Sequence, residues 1–165
     1  MSEASDKAEI DYRRVSRLFL KLGLFNASAA CVLTAPVLIP RLAFPILLTQ
    51  WGAVYMLIGY ISFLVFGVLG MVGWAATYYL LGELRNKKTY DKAWAYLQLY
   101  THFVSSYGVS ATLFTGGYIG TRLVYEGRPV QAVGIAMEMV EIPAGFFIIL
   151  AIASTLVGIA NTLKK

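Results

Sequence analysis

The chain is 165 residues long, 58% hydrophobic and only 14% charged, with a net charge of +5. Soluble domains average about 25% charged residues, so an ordinary soluble domain is excluded as the default reading. One domain is the natural count at this length. The positive excess does not point to nucleic acid, because the charges fall almost wholly between apolar runs, where the positive-inside rule would place them.

Residues 1–17 are polar and mixed in charge, and they read as a cytoplasmic N-terminal segment whose last few residues begin a helix. Residues 12–21 have a faint look of a twin-arginine export signal. Several apolar stretches follow and no soluble cargo does, so the segment is kept as part of the fold. Residues 18–39 form the first span, with Lys21 snorkelling to the inner surface. Pro36, Pro40 and Pro45 crowd its far end, and a proline inside a helix removes a donor and clashes with the preceding turn. The helix should therefore stop near Pro36 to Pro40, with Arg41 in a short outer connection and residues 44–50 as an interfacial lead-in. Cys31 is alone, which excludes an internal disulfide, and its apolar setting suggests a small buried residue.

Residues 42–82 contain no charged side chain at all. A hydrocarbon layer about 30 Å thick takes roughly 20 apolar residues as a helix, so this run is the strongest membrane signal in the chain. The second span covers 51–81. About 30 residues at 1.5 Å each give roughly 45 Å, so the helix tilts or projects into the headgroups. Residues 83–92, ELRNKKTYDK, are a charged loop. The third span, 93–120, opens with Trp94 and Tyr96; residues 125–129, YEGRP, are a turn; the fourth span is 130–163. Short connections favour an all-α, up-down-up-down four-helix bundle with long helices.

Eleven Lys or Arg lie in the N-terminal segment through Lys21, the 83–92 loop and the C-terminus, against Arg41, Arg122 and Arg128 on the other side. That asymmetry predicts a multi-pass protein of the cell membrane with both termini cytoplasmic. Trp51 and Tyr55 at one interface, and Trp74, Tyr78, Tyr79, Trp94 and Tyr96 at the other, suit aromatic belts.

Lipid tails are as apolar as leucine, so small residues and interhelical hydrogen bonds must hold such helices together. Thr101, Ser105, Gly108, Thr112, Gly116 and Gly120 repeat at helical spacing on one face of the third span. Gly67, Gly70 and Gly73 recur in the second, and the simplest packing brings the two faces together.

Three ionisable residues fall inside predicted spans: His102, Glu138 and Glu141. Such groups are expensive in a bilayer, usually face the bundle interior and mark function. Glu138 and Glu141 share a helical face with Gly134 and Gly145, and Pro143 lies beside them. Two carboxylates this close in a low dielectric are expected to share a proton, which would suit a proton or cation stop. His102 and Glu141 each lie about ten residues into their spans, which would make them neighbours at mid-depth. The structural alternative is a histidine and acids satisfied by Tyr, Ser or Thr hydroxyls. One histidine excludes a di-iron bundle and bis-His haem within the chain. No Ser-His-Asp set, P-loop or dinucleotide fingerprint occurs, and no metal or cofactor is predicted. Haem or quinone at His102 stays as an alternative.

The run GGYIGTRLVY at 116–125, followed by Gly127 and Val130, resembles the signature of a family of uncharacterised four-span membrane proteins, Gly-Gly-x-Leu-Gly-x-x-Leu-Val-Tyr followed by Gly and Val. About fifteen residues carry the likeness. The family's His-Pro…Val-His-Phe-Pro stretch is absent here, and the signature, which closes the last span in that family, is followed here by a fourth span. The overall texture is similar to small helical subunits of respiratory oxidases and membrane monooxygenases. These resemblances imply a membrane protein associated with redox systems. The expected function is a non-catalytic membrane subunit of a larger redox or respiratory-type complex, with other membrane subunits or further copies of the chain as partners. A proton- or cation-coupled carrier or channel element is the alternative.

Overall fold

The computed structural model describes residues 9–34, 38 and 50–164. Two short strands and four helical rods account for nearly all of them. Strand β1 (Glu9–Asp11) leads directly into α1 (Tyr12–Thr34), and β2 (Thr89–Asp91) leads directly into α4 (Lys92–Tyr125). The strands pair antiparallel, Ile10 opposite Tyr90. Between them in sequence lies the second rod, built from α2 (Gln50–Ser62), a π-helical stretch (Phe63–Gly70) and α3 (Met71–Leu84). The last rod is α5 (Val130–Leu163), which runs through Pro143 as one helix.

Local chemistry explains the starts and turns. The Asp91 side chain accepts from the backbone N–H groups of Ala93 and Trp94, capping α4. Asn86, at φ 52°, is the one non-glycine residue with positive φ among those described, and asparagine tolerates that region better than most residues. Gly127, at φ 67°, closes α4: the Gly127 N–H donates to Val124 and the Arg128 N–H to Leu123. That is a Schellman turn with glycine in the left-handed position, and Pro129 then starts α5.

Several expectations shift. The first helix begins at Tyr12, inside the N-terminal segment whose last residues are expected to be helical and six residues before the expected span, where β1 pairs with β2 and positions it. Cys31 is exposed, not buried. The inward face of α1 runs through Val15, Phe19, Gly23, Asn26 and Ala30, and Cys31 stands one residue, about 100°, off it. Tyr78 is fully buried rather than part of an aromatic belt, stacking on Phe19 and edge-on to Tyr90 at 4.7 Å. Pro36, Pro40, Arg41, residues 44–49 of the lead-in and the Trp51 side chain lie outside the described residues, and Gln50, the last residue of that lead-in, opens α2.

Among the described residues, three helices are long and apolar enough to cross a membrane: Tyr12–Thr34, Gly52–Leu84 and Gly134–Leu163. The expected third span, within α4, is not among them. Its polar residues turn inward: Gln98, His102, Ser105 and Ser106 are buried, while Leu97, Tyr100, Val104 and Tyr118 are exposed.

The small-residue faces also meet differently from expectation. Gly108 packs on Phe147 and Gly116 on Val140, so that part of the stripe faces α5. Gly120 and Ser105 are buried in α4. In the second rod, Gly67 lies against Phe63 and Asn26, Gly70 against His102, and Gly73 against nothing. The glycines that bring α2 onto α4 are Gly52 and Gly59, meeting Gly117, Ser110 and Phe114.

Asp91 also bonds Lys164 at 3.0 Å, tying the end of α5 to the start of α4. The Lys164 hydrogen bond, helped by the Trp94 and Ala93 amides, holds the Asp91 carboxyl below the usual carboxylate range, although partial burial pushes the other way. A carboxyl lowered in the folded state stabilises fully above its unfolded value of about 3.9 and loses that contribution as pH falls through the folded value. Melting in detergent should therefore be insensitive to this group between about pH 7 and pH 5 and fall in more acid solution. Asp91→Asn should melt lower at neutral pH and show a shallower acid loss. Parallel curves for both proteins would contradict the assignment.

Candidate functional site

The interior of the bundle is polar where the π-helical stretch passes between α1 and α4. Buried residues of the second rod recur at Gly59, Phe63, Gly67, Met71 and Ala75, every fourth position. An α-helix would rotate that row by about 40° at each step, whereas a wider turn keeps it facing inward. Two carbonyls of the stretch are held from both sides. Asn26 Nδ2 donates to the Gly67 carbonyl at 2.6 Å, and His102 Nε2 lies 3.0 Å from the Phe66 carbonyl. Tyr107 donates to Asn26 Oδ1 at 2.8 Å, so Asn26 uses both ends of its amide.

His102 is 3% exposed. A carbonyl only accepts, so the neutral ring carries its proton on Nε2 and leaves Nδ1 as a bare acceptor. Nδ1 is buried without a protein partner among the described residues. Gly70 is what admits the ring: a Cβ there would lie 2.7 Å from Nε2. One turn earlier on α4, Gln98 accepts from Tyr78 at 2.6 Å, and its backbone carbonyl accepts from Ser154 at 2.9 Å. Asn161 reaches Tyr78 and the Asp91 carbonyl at 3.4 and 3.3 Å. The Gln98 Nε2 donor faces Gly158 and, like His102 Nδ1, has no partner among the described residues. The result is a buried polar seam from Asn161 through Tyr78 and Gln98 to His102, with Asn26 and Tyr107 beside it.

The three sequence-predicted ionisable residues do not come together. Across α4 and α5, Gln98 packs on Gly158, Gly108 on Phe147 and Gly116 on Val140. That antiparallel register sets His102 level with Ser154 and Glu141 level with Thr115. The offset of about 13 residues is roughly 20 Å along the axis. Both helices are 34 residues long, so ten residues from opposite ends is far from mid-depth on either. Glu138 and Glu141 are both exposed, on the outer side of α5. Glu141 accepts from the Tyr55 hydroxyl at 3.1 Å. Gly134 and Gly145 on the same face have nothing within 4 Å.

No group of three or more His, Cys, Asp or Glu stands in metal-binding geometry among the described residues. Sequence reasoning missed Asn26, Gln98, Tyr78 and Asn161. A signal was present: each is a polar residue inside a run read as membrane-spanning or packed beside one. No family model, no curated protein and no solved structure matches the chain.

Proposed function

We propose that the chain is a four-span integral-membrane protein with both ends on the side of the basic 83–92 loop. The support is an inside-out pattern, with amides, hydroxyls and His102 in the core and residues such as Ile142, Val32 and Ile149 facing out. The β1–β2 pair and the Asp91–Lys164 bridge gather both described ends of the chain at that loop.

Within that arrangement the protein acts as a non-catalytic subunit of a larger membrane complex, of the redox or respiratory type that its resemblance implies. One observation carries the subunit reading: the face of α5 on which Gly134, Glu138 and Glu141 are exposed and half-buried Gly145 has nothing within 4 Å of a Cβ. A 34-residue helix is about 51 Å long, so a centred 30 Å hydrocarbon layer would begin near Glu138 and enclose Glu141. A carboxylate facing lipid at that depth costs several kcal/mol, by a contested amount. A neighbouring transmembrane helix that covers the face and donates hydrogen bonds removes that cost, and glycines on either side permit close approach. The same placement argues against a proton or cation path through this chain's own core, because the acids stand outside it.

Blue-native electrophoresis of mildly solubilised membranes tests the reading. The chain should migrate in an assembly well above its own mass. Replacing Glu138 and Glu141 together with leucine should release it while its thermal stability is retained. A wild-type chain that migrates alone would refute the proposal.

A further inference from the structure

A groove of about 640 Å³ lies between α1, α2 with the start of the π stretch, and α4. It is independent of the acidic face of α5. Ala29, Val32 and Leu33 line one side, Ala111 and Phe114 the other, and Phe63 lies below. No charged residue lines it. The four hydroxyls that do are Tyr60, Tyr107, Ser110 and Thr115, and their hydrogens decide what can bind. Tyr107 donates to Asn26 Oδ1, and Ser110 donates to the Ser106 carbonyl at 2.7 Å. Thr34 spends its hydrogen on the Ala30 carbonyl, so in the 2.5 Å contact between Thr34 and Tyr60 the tyrosine must donate. Three hydroxyls are therefore committed within the protein. A ligand whose ring carbonyls need donors finds none at the deep end. Thr115, exposed and without a hydrogen-bond partner among the described residues, is the exception. It sits eight residues, about 12 Å, nearer the outer end of α4 than Tyr107.

We propose that this groove holds one hydrocarbon chain of a membrane phospholipid, with the lipid's polar end at Thr115 and the chain running down to the Tyr107 ring. The volume lies within the range of ordinary ligand sites, about 300–1,000 Å³. The lining supplies apolar contact along the chain's length and one hydroxyl at the end where ester oxygens would lie.

The test uses the full chain in nanodiscs of phosphatidylcholine carrying a photoactivatable diazirine on the acyl chain. After irradiation, peptide mapping by mass spectrometry should find Val32, Leu33, Ala111 and Phe114 labelled several-fold above Ile149 and Ile152, which are exposed on α5. Ala111→Phe should fill the groove and bring its labelling down to that background. Ala153→Phe, at an exposed position of α5, should leave the labelling unchanged. Melting curves establish that both variants fold. Uniform labelling of all outward faces would mean surrounding lipid only and would overturn the proposal. Labelling of the groove below the α5 background would overturn it too. Undiminished labelling in a folded Ala111→Phe protein would do the same.

Discussion

Replacing Asn26 with alanine is expected to lower the unfolding free energy by about 2–4 kcal/mol, measured by titrating the protein with a denaturing detergent from mixed micelles. The side chain is fully buried and does two jobs, donating to the Gly67 carbonyl and accepting from Tyr107. Hydrogen bonds between membrane helices average about 0.6 kcal/mol and reach about 1.7. Truncation here also strands the half-buried Tyr107 hydroxyl and removes support from a carbonyl in the π stretch, the latter worth about 1–3 kcal/mol and the former less. Tyr107→Phe removes one of the two bonds and strands only Asn26 Oδ1, so it should cost less. The double variant should cost less than the sum, because the lost bond is shared. A second consequence separates this account from simple loss of contact. If the stretch relaxes to α-helical turns, α3 rotates by about 100° relative to α2. Met71, Ala75 and Tyr78 would then leave the core, and amide exchange should rise along α3 as well as near residue 26. A loss under about 0.5 kcal/mol with no change in exchange would show that Asn26 does not hold the π stretch.

The helical runs were legible because they are long, apolar and uninterrupted; in the proposed membrane setting a spanning backbone must also satisfy its own hydrogen bonds, which only a helix does within one segment. Charged and proline-rich intervals accordingly marked the connections at 83–92 and 125–129. What composition does not encode is which face turns inward. In water that face is apolar and shows as periodicity. Here the outward face is apolar too, so α4 and α5 show almost no contrast, and Tyr78 passed for an interfacial aromatic. The π stretch was hidden for a related reason. FLVFGVLG is uniformly apolar, and only its buried row at every fourth residue betrays the wider turn. His102 was legible as a buried group because a lone imidazole in such a run has nowhere favourable to point except inward. Its distance from Glu141 was not, because it depends on true helix lengths of 34 residues and on the register of α5 against α4. Glu138 and Glu141 stand out in the sequence, but their outward orientation is a property of the packed bundle.

Gly117→Ala should destabilise the bundle more than Gly116→Ala, although the GxxxG pattern in the sequence would single out Gly116 and Gly120. A Cβ on Gly117 would lie 2.6 Å from the Gly52 carbonyl oxygen and 2.7 Å from the Met56 amide nitrogen. Both are backbone atoms, so only separation of α2 from α4 relieves the clash. Overpacking a close contact costs about 1–3 kcal/mol, and valine at the same position should exceed that range. A Cβ on Gly116 meets the Val140 side chain, at 2.5 Å from Cγ2 and 3.3 Å from Cβ, which a rotamer change can ease. Gly73→Ala supplies the baseline, since nothing lies within 4 Å of that position. It should be neutral or gain up to about 1 kcal/mol from reduced backbone freedom. The expected ranking of detergent-unfolding midpoints is therefore Gly73→Ala highest, then Gly116→Ala, then Gly117→Ala. The physical basis is that a methyl group against a movable side chain can be accommodated, whereas one between two helix backbones cannot. If Gly116→Ala proves as costly as Gly117→Ala, or costlier, the α2–α4 crossing at Gly52 and Gly117 is not the close contact of this bundle.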